Sequence, residues 1–291
     1  MEILDGKYTS SVMLQNLKTE IQKYLQEGKR APRIDIMLVG DDYASQMYVS
    51  MKEKKALDLR ILVNIHTFDK EILQAQLIKL IKELNNENEV DGIMVQLPMP
   101  EHINESEVLE SILPSKDVDG LTSTNLGKLF KNDSSAIPPA TAKGVIKLLD
   151  NYDVQIEGKR AVVIGRGDIS GLPIAAMLQN RNATVTICHS HTQELKDICK
   201  DADILVSSIG RAEYINSEYV KNGSVVIDVG TNRNSEGKLV GDVDFNSVKD
   251  LSLIHISEPT RLLSISYAVF CLKKKKNNHL TIHEYTRLRI I

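Results

Sequence analysis

Two groups of residues in this 291-residue chain have the types and spacing to do chemistry. The first is Gly165-Arg166-Gly167-Asp168-Ile169-Ser170-Gly171, lying between an apolar run and a helix-forming one. Glycines at such a junction permit a tight turn and let a phosphate approach backbone N–H groups at a helix start. The G-x-G-x-x-x-G spacing is one residue longer than the usual dinucleotide fingerprint, and an ordinary strand-to-helix turn also satisfies it. The following strand runs into Cys188-His189-Ser190, where NAD selectivity would place an Asp or Glu against the ribose 2′-hydroxyl. That acid is missing. Arg166 and Ser190 instead offer a charge and a donor for a 2′-phosphate, which favours NADP. His189 and His191 could suggest a metal pair, but two histidines in one loop are not a full ligand set, so no metal site is expected.

The second group is scattered along the first 120 residues. Tyr48 and Lys52 stand four apart on a predicted helix and share a face, which sets an aromatic surface beside an amine. A lysine so placed can move protons, although a run such as Lys52, Lys54, Lys55 also suits a solvated helix face. Gln96 follows an apolar strand, at the carboxyl end where open parallel sheets bind ligands. Its amide suits a lysine amine or a substrate carbonyl. In Asp117-Val118-Asp119-Gly120 the further oxygens of a calcium loop are lacking. A carboxylate there suits two hydrogen bonds from an aminopyrimidine-like ring, or simply closes a turn.

The elements that must position these residues follow from periodicity. Leu14, Leu17, Ile21, Tyr24 and Leu25 fall at helical spacing after a cap at Ser10 or Ser11, with Gly28 placed to end the helix. Strands are predicted at 33–39, 61–68 and 90–96, alternating with helices at 44–57 and 71–84. A second alternating unit has strands at 160–164, 183–187, 203–207 and 225–229 and a helix at 169–180, a Rossmann-like order. Such alternation predicts parallel sheets joined by right-handed crossovers. A polar stretch, 131–135, suits a loop near the junction of the two units.

Composition narrows the class. Thirty-six Lys and Arg against 39 Asp and Glu leave a net charge of −3, with no general attraction for nucleic acid. No run is apolar enough for a membrane span, and Met1 to Asp5 lacks a basic leader. Cys188, Cys199 and Cys271 form no C-x-x-C pair, so neither a disulfide framework nor a structural zinc is expected. The expected setting is the cytoplasm, with a small-molecule partner.

Together these segments resemble the bifunctional methylenetetrahydrofolate dehydrogenase/cyclohydrolase family. The resemblance lies in Val39-Gly40-Asp41-Asp42 leading to Ser45, Tyr48 and Lys52; Asp91 to Pro98; Pro114 with Lys116 to Gly120; Gly165-Arg166; Cys188-His189-Ser190; and Gly241-Asp242-Val243-Asp244-Phe245. It implies a two-domain α/β fold: a folate-binding catalytic domain over 1–120 and a Rossmann-like NADP-binding domain over 121–250, with a cleft between them. It further implies hydride transfer from 5,10-methylenetetrahydrofolate to NADP, then hydrolysis of the methenyl product to 10-formyltetrahydrofolate. Lys52 would handle the proton of the hydrolytic step, Gln96 position it, Asp119 anchor the pterin and Tyr48 stack on it. Gly165, Arg166, Gly167, Ser190 and Thr231 would hold NADP. Tetrahydrofolate derivatives as substrates and a homodimer complete the expectation.

The chain departs from the family at Pro139-Ala140-Thr141-Ala142, where the family has Pro-Cys-Thr-Pro, and at Gly167, where it has serine. From about Leu251 the family's Pro-Gly-Gly-Val-Gly-Pro-Met-Thr segment and final helix are missing. Leu251 to Arg261 instead resembles a translated sequencing adaptor. Residues 251–291 carry a net charge of +5, against −8 for the rest, a break that supports a spurious junction over the alternative of a divergent but genuine terminal extension. An inactive or binding-only chimera is therefore the alternative to the bifunctional enzyme.

Overall fold

The structure, a computed structural model, describes residues 3–255. The chain's first helix, α1 (Gly6–Gln26), starts a turn earlier than the spacing suggested, because the Asp5 carboxylate accepts the Tyr8 N–H at 3.0 Å and caps it. Ser11 lies inside the helix and donates to the Tyr8 carbonyl at 2.8 Å. Gly28 follows the end of α1 as expected.

β1 (Arg33–Val39), α2 (Tyr43–Asp58), β2 (Leu62–Phe68), α3 (Gln74–Asn86) and β3 (Gly92–Val95) come next, and the strands form a parallel sheet in the order β2-β1-β3. A central parallel strand is covered on both faces, which is why β1 is a nearly unbroken apolar run. Ile34, Ile36 and Leu38 face Leu17 and Ile21 of α1 and Val49 of α2. Met37 and Val39 face Leu77, Ile81 and Leu84 of α3. The exception, Asp35, is fully buried and held by Arg33 at 2.8 Å and His66 at 2.8 Å.

Past β3 the chain forms α4 (Glu105–Glu110) and then a buried polar turn. Lys116 runs its amine under α3 and donates to the Leu84 and Glu87 carbonyls at 2.8 and 2.7 Å, at the negative end of that helix. Burial pushes the Lys116 amine below the usual lysine range. Next to it, the buried Asp117 carboxylate accepts four bonds: Gly120 N–H at 2.8 Å, Thr122 N–H at 2.9 Å, Thr122 hydroxyl at 2.8 Å and the Asn125 amide at 2.9 Å. These bonds close the turn that carries Asp119 and launch α5 (Ser123–Phe130).

α6 (Ala140–Asn151) leads into the second unit: β4 (Arg160–Ile164), α7 (Gly171–Asn180), β5 (Thr184–Cys188), α8 (Leu195–Lys200), β6 (Ile204–Ser207) and β7 (Val225–Asp228). A short antiparallel pair, β8 (Asn232–Arg233) and β9 (Leu239–Val240), and helix α9 (Phe245–Val248) precede β10 (Leu253–His255). The large sheet is parallel, in the order β10-β7-β6-β4-β5. The chain reverses direction of progress across the sheet at β4, whose neighbours are β5 and β6, and that switch point is where open α/β sheets bind ligands.

The two units are tied at several points. The Asn180 amide donates to the Leu129 carbonyl at 2.8 Å, the Asn151 amide to the Thr9 hydroxyl at 3.1 Å, and Asp5 N–H to the Tyr152 hydroxyl at 2.7 Å. Within the segment expected as the tail, Leu253–His255 form β10 at the edge of this sheet: β10 pairs with β7, Ile254 is buried, and Leu4 N–H donates to the Ile254 carbonyl at 3.1 Å. The rest of that segment, 256–291, lies outside the described residues.

Because four donors converge on one buried carboxylate, Asp117→Ala should cost about 3 kcal/mol or more of stability, as removal of a buried hydrogen-bonded charge does. Denaturant unfolding checks this; a loss below about 1 kcal/mol would show that the turn holds without its acceptor.

Candidate active site

At the carboxyl end of β3 the chain turns so that Gln96 N–H still donates to the Met37 carbonyl, at 2.9 Å, while its side chain enters the site. The Gln96 amide nitrogen donates to the Leu97 carbonyl at 2.6 Å, which turns the amide oxygen toward α2. There the Lys52 amine donates to it at 3.1 Å and to the Met94 sulfur at 3.1 Å. Gln96 is buried and Lys52 half-buried, so the amine is held at one point rather than swinging in solvent. Tyr48 lies one turn earlier on α2 and is half-buried.

Asp119 projects from the turn that Asp117 closes. Its side chain keeps some contact with solvent but is densely surrounded by protein. Burial pushes its carboxyl above the usual range, opposed by the positive charge of Lys52 and reinforced by Asp117. Lys52 and Gln96 thus meet, the Asp119 carboxyl feels the charge of Lys52, and Met94 is a further contact of the amine that no sequence signal marked. Asp117, equally acidic and two residues away, is spent on the turn and is not available to a ligand.

In the second unit, Gly165 ends β4 with φ of 114°, a left-handed conformation open to glycine, and donates to the Cys188 carbonyl at 2.9 Å. A Cβ there would collide with the Ser208 carbonyl oxygen, and one on Gly171 with the Gly165 carbonyl. The loop is therefore packed as a bare backbone cradle beneath the start of α7. The Ser170 hydroxyl bonds the Ser208 hydroxyl at 2.6 Å, locking this loop to the one after β6. Arg166, Gly167 and Ser190 are exposed at the adjoining ends of β4 and β5, and Thr231 is half-buried after β7. A Cβ on Gly167 would meet nothing within 4 Å. Among the described residues, no three His, Cys, Asp or Glu side chains cluster as metal ligands; His189 and His191 meet edge to face at 6.1 Å, and His191 N–H donates to His189 Nδ1 at 3.2 Å.

Two family models cover most of the chain: the catalytic domain of tetrahydrofolate dehydrogenase/cyclohydrolase matches residues 4–119, and its NAD(P)-binding domain matches residues 139–260. The chain belongs to the tetrahydrofolate dehydrogenase/cyclohydrolase family. It is 48% identical over 249 residues to the bifunctional protein FolD of Thermodesulfovibrio yellowstonii, covering 86% of each chain. Its fold matches the FolD methylenetetrahydrofolate dehydrogenase/cyclohydrolase of Campylobacter jejuni with a TM-score of 0.93 at 39% identity, over 96% of this chain and all of that one. It also matches the Trypanosoma brucei methylenetetrahydrofolate dehydrogenase-cyclohydrolase, solved with NADP and an inhibitor, with a TM-score of 0.89 at 33% identity, covering 95% of this chain and 97% of that one. The tetrahydrofolate dehydrogenase/cyclohydrolase assignment fits a two-domain α/β chain with one parallel sheet per domain. No helix among the described residues is long and apolar enough to cross a membrane.

The glycine loop yields a paired expectation. Gly165→Ala should lower the melting temperature and weaken NADP binding at least tenfold, since the added methyl has no space and the backbone is left-handed. Gly167→Ser, which restores the hydroxyl the family carries, should leave the melting temperature unchanged and tighten NADP. Thermal melts with an NADP titration check both; the idea fails if Gly165→Ala behaves as the parent does.

Proposed function

We propose that this chain oxidises 5,10-methylenetetrahydrofolate with NADP and then hydrolyses the methenyl product to 10-formyltetrahydrofolate. The carrying observation is the Lys52 amine fixed on the Gln96 amide oxygen at 3.1 Å, with the Asp119 carboxyl electrostatically coupled to it. A pinned amine beside a buried carboxyl suits addition of water to a methenyl carbon. Lys52 handles the proton of that water, and Gln96 fixes where the amine stands. Asp119, its carboxyl raised by burial, offers both an acceptor and, when protonated, a donor to the pterin ring. Tyr48 supplies the surface on which the ring stacks.

The glycine cradle fits the pyrophosphate of a dinucleotide, and the ends of β4 and β5 fit a 2′-phosphate, held by Arg166 and Ser190, with Thr231 on the far side. NADP, when bound, supplies the hydride acceptor. Hydride transfer needs no protein acid or base, so the work of this chain in that step is to hold two rings close and aligned. The same assignment carries a cytoplasmic homodimer serving purine and amino-acid biosynthesis, with a cleft between the domains shared by both steps. The inactive or binding-only alternative is not favoured, since the folate-side residues converge.

Lys52→Met should abolish hydrolysis of methenyltetrahydrofolate and leave NADP affinity within about twofold, because the amine lies in the other domain from the glycine loop; an equal loss of NADP binding would count against the assignment. Arg166→Ala should erase most of the preference for NADP over NAD, measured as the ratio of kcat/KM for the two. Tighter binding of NAD than NADP by the parent protein would sink that argument.

A further inference from the structure

The segment Gly241-Asp242-Val243-Asp244-Phe245 has no part in either reaction as described, yet it holds one of the most completely buried charged side chains in the second domain. Asp242 is 0% exposed. One of its oxygens accepts the Ser207 hydroxyl at 3.1 Å and Ile209 N–H at 2.8 Å; the other accepts Arg211 N–H at 2.9 Å and the Asn232 amide at 2.9 Å. The donors come from two places only, the end of β6 with the loop that leaves it, and Asn232 at the start of β8 just past the loop that leaves β7. A second buried carboxylate, Asp228, accepts Asp242 N–H at 3.0 Å, Val243 N–H at 3.0 Å and Gly230 N–H at 3.1 Å. The two segments interlock, because a Cβ on Gly230 would strike the Asp242 carboxylate and one on Gly241 the Asp228 carboxylate. Burial, reinforced by the charge of Asp242 and opposed by those three N–H bonds, pushes Asp228 up to about 7. Near and below neutrality the pair therefore need not hold two full charges.

Sheet order says what these loops face. If the 2′-phosphate is held at the end of β5 and the pyrophosphate over β4, as proposed above, the remaining half of the dinucleotide would extend toward β6 and β7, which lie on the other side of β4 in the sheet. We propose that Asp242 is a positioning residue for the nicotinamide half of the cofactor, setting the 208–211 and 229–232 loops against each other at one buried acceptor. Thr231 stands between the bonded Gly230 and Asn232, so its place is fixed through them. The same anchor supports the phosphate cradle, since Ser208, adjacent to two of the bonded residues, carries the hydroxyl and carbonyl against which Ser170 and Gly165 pack.

The inference rests on the proposed function, and its test separates the two. Asp242→Asn keeps one accepting oxygen and turns the other into a donor that faces N–H groups, so in either orientation of the amide the 208–211 loop loses one of its two N–H anchors. The KM for NADP should rise about tenfold and the dehydrogenase kcat fall, while hydrolysis of supplied methenyltetrahydrofolate stays within about twofold. Asn232→Ala removes a single donor and leaves the buried carboxylate in place, so it folds even if Asp242→Asn does not; the same split is expected at about threefold. An NADPH fluorescence titration of the parent and both variants reads cofactor binding without turnover. If neither variant weakens NADPH binding, or if both activities fall together by the same factor, Asp242 is structural and the proposal is wrong. If the parent binds NADPH but oxidises no methylenetetrahydrofolate, the functional assignment fails while the titration still decides the role of Asp242.

Discussion

A buried carboxylate that accepts several N–H groups at once is the interaction on which both halves of this protein depend. Loops at the carboxyl ends of parallel strands leave backbone donors without ladder partners, and a donor buried unpaired costs as much as a lost hydrogen bond. Asp117 meets this need in the first domain and Asp242 in the second, each with four donors. A single acceptor shared by several segments fixes them relative to one another, which no separate pairing of each segment with water would do.

The two domains then present different surfaces to their ligands. The site proposed for folate is a set of side chains, an amine bonded to an amide with a carboxyl close enough to feel the amine's charge, drawn from three separate elements. The loop proposed for the cofactor presents mainly backbone, and the side chains proposed to join it, Arg166 and Ser190, are exposed. The difference matches the chemistry: proton handling needs groups that titrate, whereas a pyrophosphate needs N–H groups and the absence of Cβ atoms.

Much of this was legible in residue spacing. The alternation of elements, the strand β4 and the pairing of Tyr48 with Lys52 on one helical face follow from local periodicity and survive in the structure. What was not legible depends on contacts far apart in sequence. Asp5 displaced Ser10 and Ser11 as the cap of α1 because the helix continues one turn past its apolar stripe. Asp117 and Asp119 look alike in a four-residue turn, and only the donors on Thr122 and Asn125 tell the structural acid from the accessible one. Leu253 and Ile254 sit in a stretch whose composition reads as foreign, yet they have the alternation and bulk of an edge strand, and β7 accepts them. Asp242 gives no local sign of its burial, since its donors arrive from residues about 10 to 35 positions away.

The bridge from Ile3 and Leu4 to Ile254 bears on how the molecule assembles. The first described residues belong, by pairing and by the packing of Leu4, to the edge of the second domain, so the described part of the chain is joined from one end to the other rather than strung as two beads. Closing a loop of about 250 residues is among the last events a folding chain can afford entropically, and it draws the contact order upward. During synthesis the leading residues must wait for β7 and β10 to emerge before they find their place, and a break in the polar linker between the domains would leave two fragments still joined along that seam.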